Sequence, residues 1–277
     1  MTVRIGISGW TYPRWRGTFY PRGLPQREEL RYAAERMNSV EINGSFYSLQ
    51  RRSSFDAWAA CVPEDFVFAV KGGRFITHMK KLNGIETPLA NFFASGLLAL
   101  DQKLGPILWQ LPPNLGFNTD RMEAFFAQLP RTAGSAAKIA GNHDQRVSDD
   151  HALTKARHPR HRLRHAIEVR HESFRTREFY KLLSRHKIAL VVADNPGKWP
   201  IITEITTDLM YVRMHGHDQL YTSGYSDHEL EDWATKIRSW VDQGCDVYVY
   251  FDNDAKVHAP FDAMSLMDRL GLRAPAA

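Results

Sequence analysis

The sequence predicts a single TIM-like (β/α)8 barrel. Eight short apolar runs read as buried strands, helix-periodic segments separate most of them, and most runs stop at a polar or charged residue. In order, the runs and their stops are Val3–Ser8 to Gly9-Trp10, Val40–Ile42 to Asn43, Phe66–Val70 to Lys71, and Ile107–Trp109 to Gln110. Ala166-Ile167 then leads to Glu168-Val169-Arg170-His171, Ala189–Ala193 to Asp194, Met210–Val212 to Arg213-Met214-His215, and Val247–Phe251 to Asp252-Asn253-Asp254. The chain has 277 residues, close to the roughly 250 of one such barrel, so one domain over 1–277 is expected.

The helices follow from apolar spacing. Arg27–Met37 places Leu30, Ala33, Ala34 and Met37 on one face, and Ser53–Cys61 has Ser53 or Ser54 as its N-cap. Pro88–Leu104 repeats Leu89, Phe92, Phe93, Leu97 and Leu100, and Thr119–Leu129 repeats Met122, Phe125, Phe126 and Leu129. Phe174–His186 and Asp227–Val241 each start near a polar cap, and Pro260–Leu270 closes the chain. An irregular basic insertion at about 131–165 lies between the fourth helix and the fifth strand, with a short helix around Ala136–Ile139. It reads either as a basic arm touching nucleic acid or as a solvated surface connection. His143, Asp144, Asp149, Asp150 and His151 occur within it at a spacing that matches no closed metal site.

Hydrophobic residues make up 43% and charged residues 24%, as in an ordinary globular core. No apolar run approaches the roughly 20 residues that span a bilayer, and the first strand begins without a signal-peptide core. Cys61 and Cys245 are far apart and outside any metal spacing, so a reduced, cytoplasmic protein is expected. The net charge of +5, with 25 Arg against 11 Lys, favours an anionic partner, a small molecule or nucleic acid. A high-GC genome would enrich arginine equally.

Candidate functional residues lie at the strand ends. Residues two apart on a strand share a face, so Glu168 pairs in direction with Arg170, Arg213 with His215, and Glu41 with Asn43. Barrels usually fill their interior with aliphatic side chains, and a charge buried there alone is costly. Glu168 and Arg213 could therefore meet in the barrel mouth. Glu168, His215 and Asp194 are the candidate acid–base groups and would also suit a divalent metal. Ligand contacts are expected from Glu41, Asn43, Lys71, Arg74, Gln110, Arg170, His171, Arg213, Tyr221, Asn253, Trp10 and Tyr12. Gly72 and Gly73 beside Lys71 and Arg74 would let backbone amides approach an anion, although the P-loop pattern is absent. Trp10, Tyr12, Trp15, Phe19, Tyr20, Phe46, Tyr47, Trp109 and Tyr221 are read as an aromatic rim, for stacking or for capping the barrel edge.

These residues carry a resemblance. Gly6-Ile7-Ser8-Gly9-Trp10-Thr11-Tyr12, Gly17-Thr18-Phe19-Tyr20-Pro21, Val40-Glu41-Ile42-Asn43 with Phe46-Tyr47, and Phe68-Ala69-Val70-Lys71 with Ile76-Thr77-His78 are similar to motifs of the YecE-like family, domain of unknown function 72. So are Gln110-Leu111-Pro112-Pro113, Glu168-Val169-Arg170-His171, Tyr211-Val212-Arg213-Met214-His215-Gly216 and Tyr248-Val249-Tyr250-Phe251-Asp252-Asn253-Asp254. The resemblance implies a TIM-like barrel and a polar strand-end pocket, with no established reaction. Similarity of the family to metal-dependent barrel endonucleases suggests nucleic acid, an analogy of fold only.

Three functions remain open. The first is an anion-binding pocket at the strand ends that takes a nucleotide or nucleic acid and acts as a metal-dependent phosphodiesterase. The second is a sugar or sugar-phosphate isomerase or lyase using Glu41, Glu168 and Asp194 for proton transfer. The third is a non-catalytic binding module in which the charges form a structural ion-pair plug.

Overall fold

A computed structural model describes residues 1–272. Eight parallel strands close into a barrel in chain order: β1 Val3–Ser8, β2 Ser39–Ile42, β3 Val67–Lys71, β4 Leu104–Gln110, β5 His165–Glu168, β6 Ile188–Asp194, β7 Leu209–Met214 and β8 Asp246–Phe251. The helices are α1 Glu29–Ala34, α2 Gly44–Tyr47, α3 Arg52–Ala60, α4 Glu86–Ala94, α5 Thr119–Gln128, α6 Ala133–Ala140, α7 Arg177–Arg185, α8 Asp227–Asp242 and α9 His258–Arg269. The predicted fold class is correct. The largest strand difference is at β4, which begins three residues before the predicted Ile107. Gly105-Pro106 reads as a breaker, but it falls where the β3–β4 register shifts between Phe68↔Leu104 and Val70↔Ile107, and that irregularity accommodates it.

The chain forms two compact units. The first comprises Met1–Glu41, Val62–Val67 and the chain from Ala189 onward; the second comprises Ile42–Cys61 and Phe68–Ile188.

In the first unit, β8 lies between β1 and β7, with Val247 in register with both Val3 and Met210. These strands are buried along almost their whole length, as parallel strands covered on both faces must be. α8 buries Leu230, Trp233, Ala234, Ile237 and Trp240, the stripe of a helix laid on a sheet. Ser226 and Glu229 start it with a reciprocal capping box. The first predicted helix is shorter than its periodicity suggested. A 3-10 turn at Gln26–Glu28 precedes α1, and the buried Glu29 is held by Arg16 at 2.7 Å.

In the second unit, β4 pairs with β3 and β5. α3 begins at Arg52, and its N-cap Arg51 makes no side-chain cap bond, so neither Ser53 nor Ser54 caps it. The predicted helix over Pro88–Leu104 breaks after α4. Gly96 has φ +121, a conformation open to glycine, and a 3-10 stretch over Leu97–Lys103 follows. The segment 131–165 contains α6, capped reciprocally by Thr132 and Ser135. It is strapped down at several points. Asn91 on α4 exchanges two hydrogen bonds with Asp144, each 2.9 Å, and the Leu153 amide donates to the Ala94 carbonyl.

Candidate functional site

Each unit gathers one set of polar side chains at strand ends. In the first unit, alternation along β7 puts Tyr211, Arg213 and His215 on one face. Arg213 and Glu41 are fully buried and paired twice, Nη2 to Oε1 at 2.9 Å and Nε to Oε2 at 3.1 Å. Tyr211 donates to Glu41 Oε2 at 2.6 Å and Ser8 to Oε1 at 2.9 Å, so four donors saturate the carboxylate. Arg213 also reaches Asp252 Oδ2 at 3.1 Å, and the same oxygen lies 3.0 Å from His215 Nδ1. A buried ion pair must recover its desolvation cost through such bonds.

Around this network the carboxylates are in excess. Burial, reinforced by the Asp252 charge, pushes the Asp254 carboxyl up to about 6. Tyr12 lies 2.5 Å from the Ser8 carbonyl oxygen and also bonds Asp254; burial and the Asp254 and Asp252 charges raise its hydroxyl well above the tyrosine range. Asp194 ends β6, where burial raises its carboxyl and a 2.8 Å bond from Tyr225 partly offsets the effect. Asn253 faces elsewhere, donating to the Ser223 carbonyl and to Asp262 at 2.8 Å. Burial holds Asp262 at about 6 despite that bond. Tyr221 is half-buried with its ring against His215, in a left-handed backbone conformation at φ 62. Trp10 is half-buried, and its carbonyl accepts from Tyr20 at 2.7 Å.

In the second unit, Glu168 at the end of β5 is buried, and Arg170 Nε binds its Oε1 at 2.7 Å. Lys71 at the end of β3 is buried, with Nζ 4.5 Å from the centre of the Phe46 ring. The chain then makes a π-helical turn over Phe75–Met79, which carries His78. The His78 ring packs edge-on to Phe46, and its Nδ1 lies 2.9 Å from Thr77 Oγ1. Burial, then the positive charges of Arg170, Lys71 and Arg74, lower His78 to about 4, with Glu168 opposing. His78 is therefore neutral at pH 7. Arg74 is exposed, and Gln110 at the end of β4 is in register with Glu168. Asn43 precedes α2 without capping it, and its Oδ1 is buried with no partner among the described residues.

Several expected roles change. The Gly72 amide donates to the Leu108 carbonyl as part of the sheet, and a Cβ there would lie 2.3 Å from the Trp109 ring, so this glycine serves packing rather than an anion. Trp109, Trp15, Phe19 and Tyr20 are buried, so they belong to the core and not to a rim. His171 lies beyond the strand and caps the Glu172–Phe174 turn by accepting from the Ser173 amide. Among the described residues no three His, Cys, Asp or Glu come together to hold a metal ion, so Glu168, His215 and Asp194 do not gather as the suggested metal set. The candidate site residues did not include Ser8, Tyr211, Tyr225, Asp252, Asp254 or His78, although the strand runs and motifs contain all of these but Tyr225. Tyr211 was readable as one step of alternation before Arg213.

The fold and these strand ends define a TIM-type barrel protein with charged residues where barrel enzymes keep their sites. The chain belongs to the family described as protein of unknown function DUF72, whose profile matches residues 4–277. It is 21% identical over 299 residues to UPF0759 protein YunF of Bacillus subtilis, covering 98% of this chain and 95% of that one. It is 27% identical over 114 residues to UPF0759 protein YecE of Escherichia coli, covering 41% and 39% of the two chains. The crystal structure of a DUF72 family protein from Thermotoga maritima superimposes with TM-score 0.75 at 24% identity, covering 98% of this chain and all of that one. One from Enterococcus faecalis gives 0.74 at 18%, covering 100% and 99%. Among the described residues, no helix is long and apolar enough to cross a membrane.

Proposed function

We propose that the protein binds a phosphate-bearing ligand, a nucleotide or a nucleic-acid phosphodiester, at Lys71, Arg74 and Arg170. The observation that supports this reading is the electrostatic setting of His78: three cations act on one neutral imidazole, against one carboxylate, Glu168. Arginine and lysine are the side chains suited to phosphate, by fork and by point charge respectively. Glu168 and neutral His78 stand beside the anion as the acid–base candidates for hydrolysing it.

The first unit favours a different reading, the structural ion-pair plug, because every oxygen lone-pair direction used on Glu41 is already taken by Ser8, Tyr211 and Arg213. Glu41 is thus a poor proton carrier for a sugar isomerase.

Calorimetry with pyrophosphate and with a nucleoside monophosphate, each with and without EDTA, tests the reading. Losing one charge-assisted contact is worth about 1.5–3 kcal/mol. Lys71→Gln and Arg74→Gln should each weaken pyrophosphate by roughly tenfold or more. Unchanged affinity in both variants would refute the site. Loss of binding in EDTA would add a divalent metal to the complex.

A further inference from the structure

The second unit carries an apolar pocket of about 160 Å³ beside the turn that follows β3. Three pieces of chain supply its apolar walls. Leu49 comes from the segment between α2 and α3, Phe75 and Ile76 from the π-helical turn, and Pro88 and Phe92 from α4. Pro88 and Phe92 are four residues apart, so they share one face of that helix. Ile76 and Phe92 are each only 2% exposed and form the inner wall, while Leu49 at 39% and Phe75 at 40% stand at the mouth. Exposed apolar surface gathered on one concavity marks an interaction site more than scattered exposure does.

Two polar side chains also line the pocket, Asn91 and Arg146, and Asp144 engages both. Asn91 exchanges its two hydrogen bonds with Asp144. Arg146 donates its backbone N–H and its Nη1 to the Asp144 carboxylate, each at 3.0 Å, and its guanidinium lies 5.8 Å from the centre of the Phe75 ring. The rim charge is thus met by a carboxylate of the protein itself, and the lining favours an uncharged group.

Size and chemistry then define the ligand. A water molecule in a pocket needs two to four polar partners, and replacing weakly held water by an apolar group is favourable. A cavity of about 150 Å³ lined by Leu, Ile and Phe binds benzene. We propose that this pocket binds a small neutral molecule built on a single hydrocarbon ring. A nucleobase fits the same space less well, because its ring nitrogens and carbonyls would be buried among apolar side chains, which is costly.

The test is fluorine NMR of fluorobenzene titrated with the protein, alongside 5-fluoropyrimidine, a ring of the same size with two nitrogen acceptors. Fluorobenzene should bind saturably, with a dissociation constant on the order of a millimolar or tighter, and should shift the Ile76 methyl signals of the protein. 5-Fluoropyrimidine should bind at least roughly tenfold more weakly, since its nitrogens lose water without gaining a donor. Leu49→Trp, at an exposed position, fills the mouth and should abolish fluorobenzene binding. Met79→Trp, at a position 63% exposed and outside the lining, should leave it unchanged. Urea unfolding checks that both variants are folded; should Leu49→Trp fail, the Ile76 shift in the unaltered protein decides by itself. No saturable binding, no Ile76 shift, binding that survives in folded Leu49→Trp, or an equal loss in Met79→Trp would overturn the pocket. Equal or tighter binding of 5-fluoropyrimidine would overturn the hydrocarbon class in favour of a base-like ring. Fluorobenzene carries no charge, so the result is independent of phosphate binding at Lys71, Arg74 and Arg170.

Discussion

The two strand-end regions use the same parts with opposite balance. Around Glu41 and Arg213, one guanidinium faces three carboxylates, Glu41, Asp252 and Asp254, and the central pair is fully buried. Around His78, Arg170, Lys71 and Arg74 lower its pKa and the Glu168 carboxylate opposes them. In the first arrangement four donors saturate the central carboxylate, while in the second the charges that act on His78 are mostly positive. A charged residue at a barrel strand end is therefore not in itself a sign of a ligand; the sign and saturation of its surroundings decide.

The largest effect expected from this contrast is on stability. Arg213→Met leaves Glu41 buried with only hydroxyl donors, and should cost about 3–5 kcal/mol in urea unfolding. Arg74→Ala, at an exposed cation of the other region, should change stability by no more than about 0.5 kcal/mol while weakening pyrophosphate. A cost below about 1 kcal/mol for Arg213→Met would mean that the pair behaves as an exposed one, and the contrast would fail.

Gly72→Ala should cost about 1–3 kcal/mol, since the added methyl group meets the Trp109 ring. If pyrophosphate affinity survives in a folded Gly72→Ala protein, the glycine is confirmed as a packing residue. If affinity falls with no loss of stability, Gly72 serves the anion after all.

A smaller effect, of opposite sign in the two regions, is expected with pH. Asp254 and Asp262 have folded values of about 6, above the ordinary aspartate value of 3.8. The folded state therefore holds more protons between those values, and their contribution to stability falls as pH rises from about 4 to about 6. His78 and His165 have folded values of about 4, below the ordinary 6.5. There the unfolded state takes up protons first, so their contribution is present above pH 6.5 and is lost as pH falls towards 4. For His165 the cause is burial, aided by the Arg131 charge and partly offset by the bond of Nε2 to the Pro130 carbonyl at 2.7 Å; Nδ1 accepts from the Trp109 indole at 3.1 Å. In unfolding curves from pH 4 to 7, Asp254→Asn should steepen the net rise of stability with pH, and His78→Gln should flatten it. Parallel changes in both variants would contradict the assigned directions.

The barrel was legible because parallel strands covered on both faces read as continuous apolar runs. Alternation within a strand also placed Arg213 beside His215 and Glu168 beside Arg170, and shared bonds join each pair. Trp109 was misassigned one step from Gln110, on the opposite face, where it packs against Phe92 and Phe125 under the helices. Alternation runs past the last strand residue as well: Asp252, two after Tyr250, meets Arg213, while its neighbour Asn253 turns the other way to Asp262. His78 was hidden because its position depends on a π-helical turn and on the Phe46 ring, neither of which has a periodic signature.

The central claim is that the mostly positive charges acting on His78 are neutralised by a bound anion. Nitrogen-15 NMR of the histidine side chains, with His78→Gln to assign the signal, measures it directly during a pH titration with and without pyrophosphate. In the free protein His78 should titrate near 4. Saturating pyrophosphate should move that midpoint up towards the ordinary value of about 6.5. A midpoint that stays where it was at saturation would contradict the claim.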